Sequence, residues 1–79
     1  MKKELFIVHY THDLQGYNEH YVYLNYEDAK SMYDSMLEDI HKKDTINEVY
    51  EENENEFYYE HSDGYSRLYI EEHKINPKL

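Results

Sequence analysis

Residues 44–71 read DTINEVYEENENEFYYEHSDGYSRLYIE. From Asp44 to Asp63 this stretch carries eight carboxylates (Asp44, Glu48, Glu51, Glu52, Glu54, Glu56, Glu60 and Asp63) and neither Lys nor Arg. Val49, Tyr50, Phe57, Tyr58 and Tyr59 stand among them, whereas a solvated acidic tail carries few aromatics. The pattern is that of a folded β-hairpin with one core face and one acidic, tyrosine-bearing face. Asp63-Gly64 is the strongest short turn signal, because a type I′ turn needs positive φ at both central residues. A two-residue loop there predicts Ser62 opposite Tyr65, Glu60 opposite Arg67, Tyr59 opposite Leu68, Tyr58 opposite Tyr69 and Phe57 opposite Ile70. Period-two alternation then puts Phe57, Tyr59, Leu68 and Ile70 on the core face. Glu56, Tyr58, Glu60, Arg67, Tyr69 and Glu71 fall on the other.

Working upstream, Ile46 to Glu52 reads as a further strand returning through Asn53-Glu54-Asn55. A three-residue loop predicts the pairs Glu52–Glu56, Tyr50–Tyr58 and Glu48–Glu60. Like charges directly opposed on a sheet cost from tenths of a kcal/mol up to about 1 kcal/mol each. A slip of one residue would bring Glu51 outward instead. On the favoured register the outer face carries a row of tyrosines (Tyr50, Tyr58, Tyr69) flanked by glutamates. Folding gains little from that arrangement, which makes the face a candidate for binding.

The remaining chain supplies the rest of the sheet and its cover. Glu4 to Thr11 is apolar on both faces, with Phe6, Val8 and Tyr10 on one and Leu5, Ile7, His9 and Thr11 on the other; this suits a central strand. Turn residues from Asp13 to Asn18 lead to a second strand, about Glu19 to Leu24. Asn25 then reads as an N-cap with Asp28 as its capping-box partner. Ala29, Met32, Tyr33, Met36, Leu37 and Ile40 recur at i, i+3, i+4, which predicts an amphipathic helix from about Tyr26 to Lys42. A last strand, about Tyr65 to Lys74, ends before Pro77. The predicted class is α+β: one antiparallel sheet of about five strands with one helix on one face, in the order ββαβββ.

Seventy-nine residues make one domain, 1–79, with a small core. The chain has no cysteine, so disulfides and thiolate chemistry are excluded. Its longest apolar run, Leu5 to Val8, is too short for a signal segment or a membrane span, and the expectation is an intracellular, cytoplasmic protein. A net charge of −10, from 18 acidic against 8 basic residues, repels nucleic acid and anionic membranes and favours cationic partners.

Site chemistry is thin. His9 and His12 lie three apart on a strand and point to opposite faces, so they cannot chelate together, and no zinc-type spacing is present. No phosphate-binding loop, nucleophile elbow or Cys/His pair occurs. The reading carries no catalytic residue, no metal and no cofactor. Tyrosines on a sheet face could stack bases, but such platforms need cations along the backbone, and this face offers Arg67 alone.

What is left is the acidic face as a ligand for something basic. Carboxylates on alternate strand positions recur at roughly 6.7 Å, with neighbouring strands roughly 4.8 Å apart, a dense array of negative charge. In composition (small, acidic, tyrosine-rich, without cysteine) the chain resembles the DNA mimics encoded by phages and mobile elements. That resemblance implies a non-enzymatic inhibitor in the cytoplasm of a bacterial host. Its partner would be a basic nucleic-acid-binding protein: a CRISPR effector, a restriction enzyme or a uracil-DNA glycosylase. The expected partner-binding residues are Glu48, Tyr50, Glu52, Glu54, Glu56, Tyr58, Glu60 and Tyr69, with Asp34, Glu38 and Asp39 on the helix as a second acidic surface. The competing expectation is an assembly module that homodimerises through the tyrosine face.

Overall fold

The computed structural model describes residues 3–13, 17–62 and 64–75. In chain order the elements are β1 (Lys3–His12), β2 (Tyr17–Tyr23), α1 (Tyr26–Lys43), β3 (Ile46–Glu52), β4 (Glu56–His61) and β5 (Gly64–Ile75). All five strands join one antiparallel sheet in the spatial order β2-β1-β5-β4-β3. This is the α+β, ββαβββ arrangement that periodicity predicted. β1 is an interior strand, as expected, pairing with β2 on one side and β5 on the other.

α1 begins because Asn25 stays extended (φ −138°, ψ 158°) while its side chain accepts the Asp28 amide at 2.9 Å. The Asn25 side-chain amide in turn donates to the Asp28 carboxylate at 3.1 Å, linking the two capping positions through their side chains. Glu27 and Asp28 at its start, and His41, Lys42 and Lys43 at its end, suit the helix dipole. The helix stops where Asp44 turns extended and donates its amide to the Ile40 carbonyl.

One face of the sheet is covered by α1. Val8, Ala29, Tyr33, Ile40, Phe57, Tyr59 and Leu68 are buried there, with Phe6, Tyr10, Tyr21, Tyr23, Met32, Met36, Leu37, Ile46 and Ile70 packed around them. Each fully buried large side chain, here Val8, Tyr33, Phe57, Tyr59 and Leu68, contributes roughly 1.5–3 kcal/mol by leaving water. In β2 it is Tyr21 and Tyr23 that turn toward the helix, while Val22 stays exposed and Leu24 lies in the bend beyond the strand. No described element covers the opposite face, where Leu5, Ile7, His9, Thr11 and Val22 continue into the hairpin's outer residues.

The β4–β5 register differs from the sequence expectation. Pairing runs Phe57↔Leu68, Tyr58↔Arg67, Tyr59↔Ser66, Glu60↔Tyr65 and His61↔Gly64. The connecting positions are therefore Ser62 and Asp63, not Asp63 and Gly64; Asp63 itself lies outside the described residues. Gly64 is the first residue of β5 and still needs its missing side chain, at φ 129°. Moving the turn by one position changes every partner but preserves which residues alternate together, so the face lists survive. Phe57, Tyr59 and Leu68 are buried under α1.

A second correction falls on β3. Glu48 does face Glu60, but pairing then passes from Val49↔Tyr59 to Glu51↔Tyr58 and Glu52↔Phe57, with a bulge at Tyr50. The expected pairs Glu52–Glu56 and Tyr50–Tyr58 do not form. The extra residue moves Glu51 to the outer face beside Tyr58 and turns Glu52 toward the helix side beside Phe57. It also separates the two carboxylates that a straight ladder would have opposed. The loop is held by Asn53, whose amide donates to the Glu56 carbonyl at 2.9 Å and whose side chain accepts the Asn55 amide at 2.9 Å. Tyr26 donates to the Asn55 side chain, and Lys30 to the Glu54 carbonyl, tying the loop to the helix start.

Candidate functional site

The outer face of the β3–β4–β5 hairpins gathers what the sequence marked, with substitutions in detail. Tyr50, Tyr58 and Tyr65 form one aromatic cluster, with ring centroids 5.4 Å (Tyr50–Tyr58), 5.9 Å (Tyr50–Tyr65) and 6.4 Å (Tyr58–Tyr65) apart. The bulge brings Tyr50 over this cluster, and its hydroxyl donates to Glu60 at 2.7 Å. That bond, followed by desolvation and the charges of Glu60 and Glu48, pushes the Tyr50 phenol well above its ordinary range. Tyr69 is not part of the cluster. It stacks on His9 at 4.6 Å instead. Tyr65 takes the place expected for Tyr69, and simple alternation from Arg67 and Tyr69 would have found it.

Carboxylates surround the rings. Glu48 and Glu60 are cross-strand neighbours, Glu51 pairs with Tyr58, and Glu56 pairs with Tyr69. Arg67 is the cation of this face; its Nε lies 3.0 Å from Glu56 and its guanidinium carbon 4.5 Å from the Tyr58 ring centroid. Among the described residues Glu48, Glu51 and Glu60 have no cationic partner. Glu54 is exposed at the loop tip, and Glu52 sits near enough to Tyr33 that its charge helps raise that phenol. On the helix, Asp34 and Glu38 are taken up by Lys30 (3.4 Å) and Lys42 (2.9 Å) at i,i+4 spacing. Asp39 stands apart from them, lining a cleft of about 190 Å³ with Tyr10, Glu19, Met36, Ile40, Lys43 and Asp44. The helix acids are thus a more neutralised surface than the hairpin face.

Two histidine pairs depend on strand register, so the approach of His20 and His61 to His9 and His12 could not be read from the sequence. His9 and His12 do point to opposite faces, but each meets a histidine from elsewhere. On the uncovered face the Nδ1 atoms of His9 and His20 share a hydrogen bond of 2.9 Å, and His9 Nε2 lies 2.7 Å from Glu71. Under the helix His12 packs on His61 at 4.8 Å, and His61 Nε2 is hydrogen-bonded to the Ser66 hydroxyl at 2.8 Å. Ser66 is only 3% exposed. Tyr10 donates to Ser66 and meets Tyr59, which donates to Asp44 at 2.7 Å. Burial, and then those bonds, raise the Tyr59 phenol far above its ordinary value. The Ser66–His61 hydrogen bond thus satisfies two buried polar groups within this network. Among the described residues no three His, Asp or Glu side chains are grouped to hold a metal ion. Among the described residues no helix is long and apolar enough to cross a membrane.

Compared with protein-family models, curated proteins and solved structures, the chain matches none.

Proposed function

We propose that this protein is a non-enzymatic binding protein that occupies the basic nucleic-acid groove of a host defence or DNA-processing protein, using the outer hairpin face as a substitute for a nucleic-acid backbone. The observation that carries the reading is the uncovered face itself. Glu48, Glu51 and Glu60 stand there without cationic partners around three clustered tyrosines. Such a charge array opposes folding slightly and favours association with a positive cleft, through faster encounter above all. The tyrosines add rigid contact area at low entropic cost. Net charge of −10 supports the same direction. Homodimerisation through this face would set Glu48, Glu51 and Glu60 of one copy against those of another, and charge argues against it.

The test is displacement of labelled DNA from a panel of such proteins: a restriction endonuclease, a CRISPR effector and a uracil-DNA glycosylase. Wild type should compete with DNA for at least one of them, and competition should weaken as salt rises. The triple variant Glu48→Gln, Glu51→Gln, Glu60→Gln keeps side-chain size and the acceptor for Tyr50 while removing three charges. It should lose competition without losing stability. Competition undiminished in the triple variant, or absent across the panel in wild type, sinks the reading.

A further inference from the structure

The face already holds one cation, and the way it holds it is informative. Arg67 is the only arginine in the chain, and it lies here while Lys30, Lys42 and Lys74 pair with acids elsewhere. Its guanidinium is stacked 4.5 Å over Tyr58 and its Nε is bonded to Glu56 at 3.0 Å. One ring face and one carboxylate edge are thus arranged for a planar, fork-shaped cation. The same pairing of ring and carboxylate recurs beside it with no cation among the described residues, Glu60 accepting from Tyr50 and Glu51 from the Asn53 side chain. Tyr50 and Tyr65 remain 43% and 39% exposed, next to Glu48, Glu51 and Glu60. Tyr50 is fixed in orientation by its bond to Glu60, so its ring is preorganised rather than free.

We propose that the hairpin face selects guanidinium over ammonium, so that its occupant is an arginine-presenting segment of a basic partner protein rather than a lysine-rich one. Tyr50 and Tyr65 receive the planar groups, and Glu48, Glu51 and Glu60 accept their N–H donors. This rests on the binding face proposed above and specifies its partner. A guanidinium is weakly hydrated, stacks on aromatic faces and meets carboxylates with two parallel N–H bonds, whereas an ammonium is a strongly hydrated point charge. An extended segment with arginines at alternate positions presents them at roughly 6.7 Å, the spacing at which a strand presents its own same-face residues. A face of carboxylates alone would not discriminate; it is the rings between them that do.

The experiment uses the full chain and two fluorescent peptides of equal length and charge, one alternating arginine with serine and the other lysine with serine. The arginine peptide should bind about tenfold tighter, the worth of a partly desolvated cation–π contact. In Tyr50→Leu/Tyr65→Leu that preference should fall close to parity, with a circular-dichroism melt reporting whether the fold is intact. In Tyr50→Phe/Tyr65→Phe the preference should shrink but stay above parity, because the ring faces remain while the bond that fixes Tyr50 is lost. Equal wild-type affinity for the two peptides overturns the proposal while leaving a charge-driven binding face standing. So does a preference that survives the double Leu variant. Binding of neither peptide overturns the binding face itself, and this proposal with it.

Discussion

Tyr33 offers the sharpest test of the core. It is 1% exposed in the middle of α1's buried face, yet its hydroxyl has no hydrogen-bond partner. Burial, and then the charge of Asp34 followed by Glu52 and Glu56, raises this phenol to about 12. A buried polar group left unsatisfied costs about 1–3 kcal/mol relative to a paired one. Tyr33→Phe removes that hydroxyl and keeps the ring, including its contact with the Lys30 ammonium 4.5 Å from the centroid. The variant should therefore be more stable than wild type by about 1 kcal/mol or more, and a domain of this size gains about 4–8 °C in melting temperature per kcal/mol. The pH dependence has a definite sign. Because the folded state holds the Tyr33 proton more tightly than the unfolded chain does, wild type loses this contribution as pH climbs from about 10, the ordinary tyrosine value, toward about 12. Circular-dichroism melts at neutral pH and at about pH 11 should show the gap between variant and wild type widening with pH. Tyr59 pulls both proteins the same way and cancels in the comparison. An unchanged or lower melting temperature for Tyr33→Phe at neutral pH would mean that the hydroxyl is satisfied after all, and would refute the argument.

Two further expectations concern the elements that place the hairpin face. Gly64→Val forces a β-branched residue to φ 129° at the start of β5 and should cost on the order of 1–3 kcal/mol in a urea titration; wild-type stability would mean that this backbone angle is not required. Leu68→Ala, at a fully buried site in the central strand, should lose about 2–5 kcal/mol, while Leu37→Ala, only partly buried against the core, should lose clearly less. Equal losses at the two positions would contradict the packing described.

Much of the fold was legible because strand and helix periods are local. The i, i+3, i+4 spacing from Ala29 to Ile40 marked the helix, and the N-cap at Asn25 marked its start to the residue. Face membership in β4 and β5 was equally clear, because alternation does not depend on where the turn lies. Partner identity does depend on it, and Asp63-Gly64 looked like the centre of a turn when Gly64 is in fact the first strand residue. The bulge at Tyr50 was invisible for a different reason: neither glycine nor proline marks it. Its effect, parting Glu52 from Glu56, is intelligible only once the like-charge ladder is taken as a cost. The histidine pairs needed three-dimensional register, which local pattern does not contain, whereas Tyr65 was within reach of simple alternation along β5.

The order β2-β1-β5-β4-β3 also says something about how the molecule comes into being. Its two sequence-local units, the β1–β2 hairpin and the three-stranded β3–β4–β5 meander, are each built from neighbours in sequence, but the seam that joins them pairs Lys3 with Ile75 and His12 with Ser66. Contacts between such distant residues form late and slowly, since the intervening chain must first be brought to order. On the ribosome β1 has no partner on its inner side until β5 has been made. Until then Val8 lacks its neighbour Ile70, and Tyr10 lacks Leu68. The whole sheet, binding face included, therefore waits on the final strand, and a nascent chain stalled before β5 would present an open, sticky edge instead of a finished acidic one.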